Sequence, residues 1–209
     1  SYYLKQQKLP FIYPFLAFAL FNILTTWWIF CVSESMATKI LVVAAAVIVN
    51  SIMMTIVFSL FQFIKIKLGS NHGYFALIVL WLGFEYFHLH WELTWPWLTL
   101  GNGFANQVSW VQWYEFTGVF GGSLWILVAN ILIFTILKNA LAEMGFSKNL
   151  KWILALTVVL LGPIILSKII YSTYVEKGHP IEIVIVQPNI DPYSENYDLP
   201  LEEQLNNLL

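Results

Sequence analysis

Residues 85–122 read E-Y-F-H-L-H-W-E-L-T-W-P-W-L-T-L-G-N-G-F-A-N-Q-V-S-W-V-Q-W-Y-E-F-T-G-V-F-G-G. The stretch follows one apolar run and precedes another, yet it holds Glu85, Glu92 and Glu115, His88 and His90, several amides, and a tryptophan every few residues. It is too polar for hydrocarbon and too aromatic for an ordinary connecting loop. Such a composition suits a segment that holds an amphipathic molecule at a membrane surface.

The whole chain supports that setting. Hydrophobic residues make up 59% and charged residues 11%, with a mean hydropathy of +0.71, whereas a soluble domain carries about 25% charged residues. The 209 residues suit one or two domains, and the apolar mass is divided into long runs. The fold class expected is therefore an α-helical integral membrane bundle. All ten basic residues are lysines spread along the bundle, and the acids concentrate in the tail, so there is no nucleic-acid footprint. The single cysteine, Cys31, excludes an intrachain disulfide and a cysteine-based metal site. No metal or cofactor is expected. The chain opens on Ser-Tyr-Tyr without an initiator methionine or signal peptide, and a preceding segment is expected.

About five transmembrane helices, long enough at 1.5 Å per residue for a hydrocarbon core of ~30 Å, are expected. They fall at residues 11–32, 40–64, 74–89, 123–141 and 152–170, within a membrane domain over residues 1–175. Pro10 and Pro14 stand at the start of the first, where a missing N–H costs least. Thr25, Thr26, Trp27 and Trp28 mark its far end as an interfacial belt. Asn50 and Ser51 lie in the middle of the second, where a polar side chain most often bonds a neighbouring helix. Lys65 and Lys67 end that helix, and Gly69-Ser70-Asn71 makes the turn. Gly121-Gly122 leads into the fourth, in which Asn130 is expected to pack between helices, and Gly162-Pro163 is expected to kink the fifth.

Glu85 and His88, three apart at the end of the third run, share one helical face. An ionisable residue at that depth costs about 2.5 kcal/mol or more and marks a functional site by default. The alternative is a buried pair that satisfies itself. A metal site on His88 and His90 is not expected, because residues two apart point away from each other on a helix.

Lysine clusters precede the first crossing and follow the second and fourth, which makes those ends cytoplasmic and puts the 85–122 stretch and the tail on the outer face. In the tail, the run Ile181 to Val186 reads as a buried strand ended by Gln187-Pro188-Asn189. A loop through Tyr197 follows, and then the start of a helix from Leu199. A second domain is expected to open at residues 181–209 and to continue past Leu209.

Two motifs resemble the bacterial apolipoprotein N-acyltransferases. The first is Glu85, then Pro96-Trp97, then Gly101, with Gly118-Val119 and Asn130 further along; His88 stands where that family usually carries an arginine. The second is Ile183-Val184-Ile185-Val186-Gln187-Pro188-Asn189-Ile190-Asp191, which looks like the first strand and loop of the family's nitrilase-like (carbon-nitrogen hydrolase) domain. The resemblance implies a fragment: the later helices of a membrane bundle, followed by the first strand of a truncated α/β nitrilase-like domain. It implies a bacterial inner-membrane enzyme, expected to be a monomer, with its catalytic domain on the periplasmic face. The implied reaction moves an acyl chain from a membrane phospholipid, through a cysteine thioester, to the diacylglyceryl-cysteine of an apolipoprotein acceptor. The implied Glu-Lys-Cys triad lies beyond Leu209, and Cys31, ahead of the strand and in lipid, is not the nucleophile. What this chain would contribute is a substrate rim of Glu85, His88, Trp95, Pro96 and Trp97, with Tyr197 near an aromatic position beside the family's active site.

The alternative is a non-enzymatic transporter subunit or an assembly module that binds a partner through the aromatic segment. A transporter usually shows an ionisable path across several helices or an internal repeat, and here the charges collect on one face. A different membrane protein with a nitrilase-like appendage is the third reading.

Overall fold

The computed structural model describes residues 11–32, 34–92, 94–142, 146–176, 178, 181–185 and 200–206. Among these, helices α1 (Ile12–Thr26), α2 (Met36–Leu68), α3 (Ser70–His90), α4 (Tyr114–Leu141) and α5 (Phe146–Thr173) form the bundle, and a short α6 covers Leu201–Asn206. A 3-10 turn, Trp27–Cys31, prolongs α1. Helices α2 to α5 extend past the expected apolar runs by up to nine residues, while α1 with its 3-10 turn stays within its run, because backbone hydrogen bonding continues wherever it is satisfied internally, whereas hydropathy marks only the most apolar part. Ser35 caps α2, its hydroxyl accepting from the Thr38 amide at 3.2 Å. Gly69, at φ +91°, ends α2 by donating its N–H to the Lys65 carbonyl at 3.1 Å, and α3 starts at once at Ser70. The turn is thus a single residue rather than the expected three.

Among the described residues, four stretches are long and apolar enough to cross a membrane: Ile12–Cys31, Met36–Leu68, Tyr114–Leu141 and Ser147–Thr173. The expectation of five is corrected at α3. Its 21 residues have the length, but His72, Glu85, His88 and His90 lower its apolarity. Glu85 and His88 turn inward, whereas His72 and His90 are exposed and bond the Leu68 and Tyr86 carbonyls four residues back. Contacts run in chain order, α1 on α2, α2 on α3, α3 on α4 and α4 on α5.

The centre of the bundle is a cluster of Met54, Val57, Trp81, Phe84, Leu98 and Leu127, contributed by α2, α3, α4 and the loop after α3. Lipid tails are as apolar as these side chains, so helix association depends on close packing and interhelical hydrogen bonds. Small and polar residues supply both. Ser51, Ser123 and Ser167 are fully buried, and the Asn22 amide of α1 donates to the Ser51 hydroxyl of α2 at 3.3 Å.

Helix α4 differs from expectation at its start. Gly121 and Gly122 lie inside it, and the break falls earlier, at Gly118, whose φ +63° and ψ −170° kink the helix. Pro163 lies within α5, whose helical span runs unbroken from Phe146 to Thr173. Residues 181–185 hold no strand and are exposed; a strand needs a partner for its ladder, and none is present among the described residues. Val186 and Tyr197 lie outside the described residues.

The kink can be tested. In the full-length protein, Gly118→Ala is expected to lower the thermal unfolding midpoint in detergent, since a side chain in the left-handed region costs about 1–2 kcal/mol. An unchanged midpoint would mean that α4 runs straight in the membrane.

Candidate functional site

The face of α3 that turns inward carries Trp81, Glu85 and His88 at helical spacing, all buried. Glu85 is 3% exposed, and its Oε1 accepts two hydrogen bonds, from Trp81 Nε1 at 3.1 Å and from the Leu100 backbone N–H at 2.9 Å. The first is an i, i+4 pair on the helix surface. The second spans fifteen residues and fastens the loop after α3 onto the helix.

The next residue of that loop is fastened from the other side. The Gly101 N–H donates to the Ser123 hydroxyl of α4 at 3.0 Å, and the Gly101 carbonyl accepts from the Tyr114 hydroxyl at 2.9 Å. Neighbouring amides thus bond to α3 and α4 in turn. This approach is open only to glycine: a Cβ on Gly101 would run into the Val119 carbonyl, and one on Gly122 would fall on the Tyr114 hydroxyl and 2.9 Å from the Gly101 Cα. Pro96–Leu98 and Leu100–Phe104 form short 3-10 turns, tied by Asn102 Nδ2 donating to the Pro96 carbonyl at 2.9 Å.

His88 faces α2. Its Nε2 lies 2.9 Å from Oδ1 of Asn50; an amide oxygen only accepts, so Nε2 carries a proton, and in the neutral imidazole Nδ1 presents a lone pair. The mid-helix Asn50 therefore bonds across helices, as expected of it. The His88 carbonyl accepts from the Trp95 N–H at 3.3 Å, which turns the chain over the end of α3. Trp97 stands outside this turn, 57% exposed, and its ring meets that of Trp28 at 5.8 Å. Trp27 and Trp28 are exposed beside it, giving this end of the bundle an aromatic rim.

Under the rim, four buried polar atoms make no hydrogen bond among the described residues: Glu85 Oε2, His88 Nδ1, Trp91 Nε1 and Trp95 Nε1. Two are acceptors and two are N–H donors. An unmade hydrogen bond of this kind costs about 1–3 kcal/mol, and four in one region suit a polar group that brings both donors and acceptors.

Of the residues singled out in the sequence, Glu85, His88, Trp95, Pro96 and Trp97 come together at this end of the bundle, and Tyr197 lies outside the described residues. Trp81, Ser123, Tyr114 and Gly122 complete the site and were not foreseen. Trp81 could have been found four residues before Glu85, whereas the α4 residues have no local signal because tertiary folding alone brings them to Gly101. Asn130 is exposed at a cavity mouth, which corrects its expected packing between helices.

Fold and site define a multi-pass helical membrane protein with a polar site under an aromatic cap. The apolipoprotein N-acyltransferase N-terminal domain matches residues 2–132, and the chain belongs to that family. It is 26% identical over 191 residues to a protein of Chlorobaculum tepidum named apolipoprotein N-acyltransferase, covering 90% of this chain and 34% of that protein. A protein of the same name from Geobacter metallireducens is 30% identical over 130 residues, covering 60% of this chain and 25% of its own length. The chain thus spans about a third or less of these relatives. No solved structure matches it.

The pinning of the loop makes a stability prediction. Glu85→Ala in the full-length protein strands the Trp81 and Leu100 donors and is expected to cost about 1–3 kcal/mol, read as a lower unfolding midpoint. Glu85→Gln keeps an oxygen for both donors and is expected to stay near the wild-type midpoint. Equal midpoints for all three proteins would show that the carboxylate does not hold the loop.

Proposed function

We propose that this chain is the membrane-embedded part of an enzyme that transfers an acyl chain from a phospholipid to the diacylglyceryl-cysteine of an apolipoprotein, and that the Glu85 site receives a lipid headgroup. In this reading residues 1–175 form the membrane domain and residues 181–209 open a nitrilase-like catalytic domain. The protein lies in the bacterial inner membrane with that domain on the periplasmic face. The thioester-forming cysteine and its glutamate and lysine lie beyond Leu209, as the family resemblance implies.

The observation that carries the reading is the set of unpartnered buried atoms beneath an exposed tryptophan rim. A reaction between two lipid-tailed substrates needs a place where chains stay in hydrocarbon while headgroups reach a polar surface. Glycerol hydroxyls, ester carbonyls and an α-ammonium group offer the donors and acceptors that Glu85 Oε2, His88 Nδ1 and the two indole N–H groups lack. Trp97 and Trp28 are amphipathic rings of the kind that settle at headgroup depth. The short, doubly fastened loop keeps this surface in shape, so less ordering is left to be done when substrate arrives.

The chemistry of the two lipids also fits the division of labour. Acyl transfer through a thioester requires a cysteine near its own base; Cys31, at this end of the bundle, is exposed and makes no hydrogen bond to a histidine or carboxylate among the described residues. The role left for these residues is to bind and orient.

Glu85→Gln is the informative variant, because it keeps the loop's acceptor and removes only the negative charge. In the full-length enzyme it is expected to lower acyl transfer to a synthetic diacylglyceryl-cysteine peptide about tenfold, the equivalent of one charge-assisted hydrogen bond. Unchanged turnover at normal expression would remove Glu85 from the substrate site.

A further inference from the structure

At the other end of the bundle, α2, α3 and α4 enclose a cavity of about 420 Å³, within the size range of small-molecule sites. Asn50, which bonds the Glu85 face of α3, and Lys65, which lines this cavity, are fifteen residues apart on α2. At 1.5 Å per residue Lys65 is about 22 Å along α2 from Asn50, while Leu77, at the inner end of the cavity, is about 12 Å along α3 from Glu85. The charged mouth of the cavity is therefore distinct from the Glu85 site, although their apolar walls come within a few turns of each other.

Phe58, Phe61, Leu77 and Phe134 give the cavity an apolar wall, and Gln62, Lys65, Tyr74 and Asn130 give it polar groups. Phe134 and Asn130 are exposed, so the space opens on the outer surface of the bundle. The Lys65 ammonium is held in place there: it donates to the Tyr74 hydroxyl at 3.3 Å and lies 4.6 Å from the Tyr74 ring centroid, 5.3 Å from that of Phe134 and 5.4 Å from that of Phe61. Three rings attract the cation but none neutralises it. The described acids in and beside the five helices, Glu34, Glu85, Glu92, Glu115 and Glu176, sit at the opposite helix ends. At the Lys65 end the sequence sets Lys65, Lys67, Lys138, Lys148 and Lys151 against Glu143.

We infer that this cavity binds one anionic phospholipid, with the phosphate on Lys65 and an acyl chain along Phe58, Phe61, Leu77 and Phe134. The charge complementarity is direct: an ammonium fixed at the mouth of an apolar space between membrane helices has no carboxylate partner among the described residues, and an anion tethered to a chain fills both parts of the site. Gln62 and Asn130 can donate amide N–H groups to the remaining phosphate or glycerol oxygens, and Tyr74 already orients the ammonium. Basic pockets between membrane helices are the usual places for acidic lipid headgroups. A zwitterionic lipid would bring its own cation next to Lys65, so an acidic headgroup is preferred.

The test is native mass spectrometry of the full-length protein, purified in mild detergent and offered equal amounts of dioleoyl phosphatidylglycerol and dioleoyl phosphatidylcholine. Wild type is expected to retain one phosphatidylglycerol in preference to phosphatidylcholine. Lys65→Gln is expected to weaken that retention about fivefold, the worth of one lysine at an anionic lipid, and Lys65→Arg to keep it. Lys67, whose ammonium lies over Phe63 outside the cavity, serves as control, and Lys67→Gln is expected to leave retention unchanged. Leu77→Trp, which fills the apolar space and keeps the charge, is expected to lower retention as well; it decides the matter if Lys65→Gln does not fold. Equal retention of the two lipids by wild type, wild-type retention in both Lys65→Gln and Leu77→Trp, or displacement of the lipid by inorganic phosphate alone would overturn the inference.

Discussion

The hydrogen bond from the Leu100 amide to Glu85, at 2.9 Å, is the constraint on which this end of the molecule depends. A carboxylate buried between helices is expensive unless it is paired or hydrogen-bonded. A loop that re-enters the bundle exposes amides that have no helix of their own to satisfy them. Each problem answers the other. Once Leu100 is fixed, Gly101 is carried against Ser123, Tyr114 and Gly122, and the α4–α5 hairpin is tied to the α2–α3 hairpin through the loop rather than through broad helix contact. Phe104 against Trp125, at 4.8 Å, and Trp113 against Trp125, at 5.9 Å, extend the same junction towards α5.

The same arrangement explains why α3 can be the least apolar helix of the bundle. Glu85 points at the loop and His88 at α2, while Phe75, Val79, Tyr86 and Phe87 of the same helix are exposed. Polar residues inside a membrane protein are retained where they line a polar space or bind one another, and here both apply. Oε1 of Glu85 and Nε2 of His88 hold the fold together, while Oε2 and Nδ1 of the same side chains have no hydrogen-bond partner among the described residues.

The two ends of the bundle divide the charge. One end gathers Glu34, Glu92 and Glu115 around the tryptophan rim, with Lys39 and Lys168 nearby. The other gathers five lysines around the α2–α3 turn and the α4–α5 connection, where Asn139 donates to Asn149 at 3.0 Å. Such an asymmetry orients a helical protein in its membrane.

Composition and apolar runs are enough to make this chain a helical membrane protein, because the cost of unpaired backbone in hydrocarbon leaves few alternatives. Spacing alone put Glu85 and His88 on one face, since the helical repeat is local. The Glu85, Pro96-Trp97 and Gly101 pattern pointed to one site and one family. Tertiary structure decided the rest. That Glu85 and His88 of α3 turn inward to the loop and to α2, that Gly118 and not Gly121-Gly122 breaks α4, that Asn130 lines a cavity, and which glycines touch, all depend on contacts between residues far apart in the chain. Hydropathy cannot tell a helix facing lipid from one facing other helices, and a glycine's need for space is visible only when its neighbour is known.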